Sequence, residues 1–282
     1  MSRLWFITGV STGLGRAIAE AALAAGDTVV GTLRDPAASP AFEALAPGRA
    51  HAVLVDVRDE DGVRGVVADV TTRLGPIDVL VNNAGYGLAG AIEEVTLAQA
   101  RAQFDVNVFG VLNVLRAVLP GMRARRSGRI LNITSIGGLT AFSGVGIYNG
   151  SKFAVEGISE ALRMEVAHLG IKVTAVEPGS FRTDWAGRSM VHVDAPIADY
   201  DASAGEFRRS LHARDGVQAG DPRKAAAAIL RIVDDADPPQ HLLLGPDALA
   251  ALERKLARVQ ADVARWASLS SATNHDGAGE RT

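Results

Sequence analysis

Tyr148 and Lys152 stand four residues apart in an amphipathic stretch, and Ser135 lies upstream at the end of the apolar run ILNITS. Four residues is about one helical turn, so the phenol and the ammonium share a face. A free tyrosine titrates near pH ~10 and is protonated at neutrality, which makes it a weak base and a serviceable acid. A cation beside it stabilises the phenolate and lowers that value. A fall of two to three units takes roughly 3 to 4 kcal/mol of differential stabilisation, within reach of an ammonium, a second cation and a hydrogen-bond donor acting together. The three residues read as a proton-transfer site. A Tyr and a Lys at this spacing also arise by chance, so the surrounding elements must decide.

Those elements begin at residues 3–8, RLWFIT, a short apolar run that breaks at Gly9 and resumes with helical spacing from Gly13 to Ala25. Strand, glycine turn and helix follow one another. Glycine permits positive φ and lets backbone N–H groups approach a diphosphate at a helix N-terminus, so Gly9, Ser11, Thr12, Gly13, Leu14 and Gly15 are candidate dinucleotide contacts. Steric need alone can also place glycine in such a turn. Gly9, Ser11 and Gly13 equally match the G-x-S-x-G nucleophile elbow of a serine hydrolase, but an elbow follows several strands and needs a downstream acid and histidine.

Further buried strands are expected at 27–33, 51–57, 78–85, 128–134, 171–179 and 241–245. Helices are expected at 59–74, 96–119 (ended by Pro120 and Gly121), 148–169, 222–235 and 246–267. This alternation predicts an α/β fold, a doubly wound parallel sheet in a three-layer αβα arrangement and a single domain over 1–267. Residues 184–220 lack apolar periodicity and read as a mobile substrate loop, and 268–282 as a disordered tail.

A net charge of -3 gives no basic field to attract nucleic acid or acidic lipid. With no cysteine, disulfides, thiol catalysis and thiolate metal sites are excluded, and the six histidines lack metal-ligand spacing, so no metal is expected. No signal peptide and no run of eighteen apolar residues is found, and a soluble cytoplasmic protein away from membranes is the expectation.

The glycine turn, NNAG (Asn82 to Gly85), Asn107, Ser135, Tyr148-x-x-x-Lys152 and Pro178-Gly179 together resemble the short-chain dehydrogenase/reductase family, in order and spacing, over residues 3 to about 185. YNGSKFAVEG is similar to that family's active-site helix, with Gly150 where alanine is commoner. The resemblance implies a Rossmann-like oxidoreductase that moves a hydride between a nicotinamide and an alcohol or carbonyl substrate. It implies Tyr148 as general acid/base, Ser135 as the donor that holds the substrate oxygen, and Lys152 as a ribose ligand that lowers the Tyr148 pKa. Asn107 would hold a water linking Lys152 to solvent, at a local helix distortion. Asn83, Ala84 and Gly85 would pass the adenosine ribose, Asp56 with Val57 would lie at the adenine, and Pro178, Gly179 and Thr183 would border the nicotinamide.

Cofactor choice falls to the end of the second strand, where an acid accepts from a ribose 2′-OH and a base pairs with a 2′-phosphate. Leu33 stands where NAD-preferring members place the acid, and Arg34 follows, so NADP(H) is expected over NAD(H), with Asp35 as the opposing feature. Helix 96–119 carries too many apolar positions for one stripe, and the resemblance implies a homodimer or homotetramer built on it and on the active-site helix. Phe142, Val145, Phe181, Trp185 and Met190 suggest a small to medium, partly apolar substrate. Two other readings use the same residues: a dinucleotide-sensing regulator without turnover, and an epimerase or dehydratase with retained NAD.

Overall fold

The computed structural model describes residues 2–185 and 187–275. Seven parallel strands form one sheet in the order β3-β2-β1-β4-β6-β7-β9: β1 (Leu4–Ile7), β2 (Thr28–Leu33), β3 (Ala50–Leu54), β4 (Val79–Asn82), β6 (Gly128–Ile133), β7 (Ile171–Pro178) and β9 (His241–Leu244). Strand order reverses between β1 and β4, and the carboxyl ends flanking such a switch point form a crevice. Helices α1 (Gly13–Ala24) and α8 (Pro222–Val233) cover one face. Helices α3 (Glu60–Leu74), α5 (Gly110–Arg125) and α6 (Gly146–Val166) cover the other, α5 being reached through α4 (Leu97–Phe104). The expected three-layer α/β architecture is therefore present. Strands buried on both faces carry continuous apolar runs, as in β1, where Leu4, Trp5, Phe6 and Ile7 are all buried.

Three expectations change. The helix expected to stop before Pro120 runs on to Arg125. Proline removes one main-chain donor, but Pro120 lies on the exposed face, where water can serve the carbonyl it frees. Leu97 to Arg125 thus forms one long apolar helix of membrane-spanning length and hydropathy, yet its buried side chains Val111, Val114, Leu115, Val118 and Met122 pack into the core between helices and sheet.

Residues 184–220, expected as a loop, contain β8 (Met190–His192), a π turn at Asp201–Gly205 and α7 (Glu206–Ala213). β8 pairs with β5 (Gly87–Ala89) in a two-stranded sheet of its own. Elements this short carry too few residues to show a period. The short helix α2 (Ser39–Glu43) after β2 escaped notice for the same reason. Finally, α9 (Pro246–Ser271) extends into the stretch expected to be disordered from residue 268; residues 276–282 of that stretch lie outside the described ones.

Candidate active site

The crevice gathers most of the candidate residues because they follow the carboxyl ends of successive strands. Gly9 to Gly15 follow β1, Arg34 follows β2, Asp56 and Val57 follow β3, Asn83 to Gly85 follow β4, Ser135 follows β6, and Gly179 to Thr183 follow β7, whose last residue is Pro178.

At the first turn Gly9 and Gly13 have φ of +72° and +64°, in the left-handed region that glycine enters without steric cost. A Cβ at Gly15 would collide with the Asn83 amide and the Gly9 carbonyl, so that glycine permits close packing. Asn83 Nδ2 donates to Thr8 O and Gly9 O, both at 2.9 Å, and Thr8 Oγ1 accepts from the N–H groups of Asn83 and Ala84. The NNAG segment is thus a clamp that fixes the turn. Thr12 at the start of α1 makes no side-chain cap and the first turn holds no acid, so the positive end of the helix dipole is left for an external anion. A Cβ on Gly13 would point toward Thr183, 3.5 Å from its Cβ, which puts the β7 loop across the same gap. Ser11 is exposed and Leu14 packs under the turn. A glycine cradle at an uncapped helix N-terminus fits a dinucleotide diphosphate.

At the adenosine end Leu33 is buried and Arg34 is exposed. Asp35 turns away to cap the following turn, accepting from Ala37 N at 2.9 Å. Asp56 is gripped by Arg58, whose Nε and Nη2 donate to the carboxylate at 3.1 and 2.7 Å, and this contact holds its pKa below the usual carboxylate range. Val57 is buried, with its carbonyl accepting from Asn113. Reasoning from sequence missed Arg58, and missed Arg188, whose Nη2 donates to Thr12 Oγ1 at 2.8 Å while pairing with Asp184.

The proton-transfer residues lie on α6 and at the end of β6. Along α6 the buried positions Tyr148, Ser151, Lys152, Val155, Ser159, Leu162 and Val166 repeat with helical spacing, which points Tyr148 and Lys152 the same way. Ser135 caps a turn by accepting from Gly137 N at 2.9 Å, leaving its own O–H to donate. Asn149 ties that turn to α6, donating to Gly137 O. Lys152 Nζ donates to Ile133 O at 2.9 Å and lies 5.9 Å from the Tyr148 ring centre.

Burial pushes Tyr148 up to about 12, opposed by a hydrogen bond from Ser135. The expected lowering by Lys152 is not found: burial and the Ser135 hydrogen bond are the causes that act on the phenol here. Lys152 itself is brought down to about 8 by burial, against the attraction of Glu156. Asn107 sits in a π turn at Asp105–Phe109, the distortion foreseen for it. Its Nδ2 donates to Tyr86 O and Ser151 Oγ and its Oδ1 accepts from Tyr86 N, so a water could take only the remaining Oδ1 lone pair.

Over Tyr148 lies an apolar wall. Trp185 packs on its ring at 5.2 Å between centres, and Val145, Met190, Leu211 and Phe207 continue the cluster. Phe142 stacks on Phe207 at 6.4 Å. Phe181 does not belong to the wall: it packs into the α1/α8 core. Glu94 fastens the segment that carries this wall. Its buried carboxylate accepts from Ala91 N and Ile197 N, each at 2.7 Å, and from Arg208 at 2.6 Å.

Behind α6 a second cluster, unforeseen in the sequence, joins Glu156, Glu177 of β7 and His241 of β9. His241 Nδ1 is 2.7 Å from Glu177 Oε1 and 3.7 Å from Glu156 Oε2. The shorter contact is a hydrogen bond between two atoms that a cation would otherwise take, so a shared proton accounts for the cluster without a metal.

The model of the short chain dehydrogenase family matches residues 3–192. Among curated relatives, the oxidoreductase BOA17 of Botryotinia fuckeliana is 40% identical over 97% of this chain and 100% of its own length. The 3-ketodihydrosphingosine reductase of Bacteroides thetaiotaomicron is 40% identical over 85% of this chain and 87% of its own. Among solved structures, a short-chain dehydrogenase from Streptomyces avermitilis is 43% identical, with a TM-score of 0.92 over 98% of this chain and 99% of that one. ElxO, solved with NADP bound, is 26% identical, with a TM-score of 0.74 over 89% of this chain and 100% of that one.

Proposed function

The chain belongs to the short-chain dehydrogenase family and is an oxidoreductase of that type, and from this premise we propose that it interconverts an alcohol and a carbonyl compound with NADP(H), Tyr148 exchanging the proton. The convergence of Ser135, Tyr148 and Lys152 beneath the Trp185 wall carries the reading. The nicotinamide dinucleotide, when bound, supplies or accepts the hydride. The turn from Gly9 to Gly15 would hold its diphosphate, with Thr183 across the gap, and Lys152 would hold its ribose.

At neutral pH Tyr148 is protonated, so it is poised to donate to a carbonyl oxygen that would take the Ser135 O–H in place of the Tyr148 oxygen. In the reverse direction the same phenol must accept, and the cation of Lys152 favours the phenolate that accepts best. The surrounding side chains exclude water and favour a partly apolar substrate, a class consistent with the sphingoid ketone named for one relative.

NADP(H) over NAD(H) is supported by a buried Leu33 with no acid, by exposed Arg34, and by the commitment of Asp35 to its own cap. The arginine fork pairs bidentately with phosphate. In wild type NADPH should bind more tightly than NADH, and Arg34→Ala should remove most of the difference. Equal affinities in wild type would refute the assignment. Following NADPH oxidation with a panel of aldehydes and ketones, Tyr148→Phe should lose about 10²- to 10⁴-fold in turnover while still binding NADPH. Unaltered turnover in that variant would remove Tyr148 from the chemistry.

A further inference from the structure

The C-terminal helix α9 is anchored at its base and projects at its tip. Ala248 and Ala251 are buried against Ile136 and Leu139, whereas every residue from Leu256 to Ser271 is exposed, a length of about 24 Å at helical rise. The apolar stripe does not end where the body ends. Leu249, Leu252, Leu256, Val259, Val263 and Trp266 repeat at alternating intervals of three and four, the spacing of a coiled-coil seam. Leu249, Leu256, Val263 and Trp266 are 53%, 51%, 63% and 51% exposed. Leu252 is half-buried against the anchoring cluster, and from Leu256 onward the seam is left in water, which on a regular helix marks a surface meant to be covered.

We propose that a second copy of this chain covers it, through antiparallel pairing of the two α9 helices. The flanking charges select this occupant and this direction. Lys255 and Asp262 lie seven residues apart on one flank of the seam, and Glu253, Gln260 and Ala267 lie on the other. Antiparallel helices bring like flanks together, so Lys255 meets the partner's Asp262 and Asp262 meets the partner's Lys255. The same register sets Leu256 against the partner's Val259, Leu252 against the partner's Val263 and Leu249 against the partner's Trp266. Parallel pairing would set Lys255 opposite Gln260 and Asp262 opposite Ala267, with no ion pair, and would crowd two bodies at one end. The interface is separate from the α5 and α6 surfaces on which the family resemblance would build an oligomer.

The test is the solution mass of the full chain at micromolar concentration, by sedimentation, with NADPH binding as the control for folding. Val263→Asp should halve the mass. Lys255→Glu and Asp262→Lys should each weaken association by about tenfold, through two ion pairs turned to repulsion, and the double variant should restore it. A wild type with the mass of one chain, or a mass unmoved by Val263→Asp, would overturn the proposal. Failure of the double variant to restore association would overturn the antiparallel register. A single-chain wild type that binds vesicles of anionic lipid through α9 would replace it with a membrane surface.

Discussion

Two regions of the molecule bury carboxylates and treat them in opposite ways. Glu94, beneath the segment that carries the apolar wall, has a side chain with 0% exposure and a pKa below the usual range. Burial pushes that value up, but two main-chain N–H groups and Arg208 outweigh it. Behind α6, Glu177 is equally buried, yet its pKa is pushed up to about 9 by burial and by neighbouring Glu156, which is itself raised to about 7. One oxygen of Glu177 has no hydrogen-bond partner, and Glu156 meets only a weak contact from Thr134, whose hydroxyl donates to Val176 O. Burial therefore does not decide whether an acid is charged; the donors that meet it do. Glu94 acts as a fixed anion that latches a segment, and the pair behind α6 as a place where protons are held.

The contrast breaks most visibly at Glu94. Glu94→Ala would leave the Arg208 guanidinium and the Ala91 and Ile197 N–H groups unanswered, a local cost of about 2 to 4 kcal/mol. The segment from 190 to 213 should open more often, seen as faster protease cleavage there and as a fall of more than tenfold in kcat/KM for apolar carbonyls. A variant cleaved no faster than wild type would show that Glu94 is not the latch.

Glu177→Gln should act in the other direction. A carboxyl whose pKa rises from 4.5 to about 9 on folding stays neutral in the folded protein while the unfolded chain ionises. Its contribution to stability is then lost progressively as pH climbs from about 4.5 to about 9. Glutamine cannot ionise and keeps a hydrogen bond to His241. The variant should match wild type near pH 5 and exceed it at pH 8 by on the order of 2 to 4 kcal/mol, read as a Tm raised by several degrees. A Tm difference that does not change with pH would mean that Glu177 is ionised in the folded state.

These two clusters also show where sequence reasoning reaches and where it stops. The glycine turn and the Tyr148/Lys152 pair were legible because their geometry is local: residues two to four apart are placed by the element they share. The sheet was legible because strands covered on both faces are apolar throughout. Glu94, Arg208 and Ile197 are brought together only by the tertiary fold, as are Glu156, Glu177 and His241, and no spacing along the chain announces either group. Trp185 and Met190 were suspected from their nearness to motifs, but Phe181, equally near, turns into the other core. Even the local reading of Lys152 needed correcting, since the burial that raises Tyr148 is a product of the tertiary fold, which helical spacing does not announce.

The smallest effect should come from Glu156→Gln, and it links the two regions through Lys152. At pH 8 Glu156 is mostly ionised and poorly solvated, which argues that its removal should stabilise the fold. It is also the carboxylate whose attraction opposes the desolvation of Lys152, and that attraction is lost with it. The two changes offset, so Tm should move far less than in Glu177→Gln. The ammonium is less protected: without Glu156 the Lys152 pKa should fall below about 8, and catalysis that needs the cation should fail at lower pH. The alkaline limb of the kcat profile should therefore shift toward acid by less than about one unit, with the plateau at pH 6 unchanged. An alkaline limb that does not move would mean that Glu156 is already protonated when Lys152 works, leaving Glu177 and His241 without electrostatic reach into the active site.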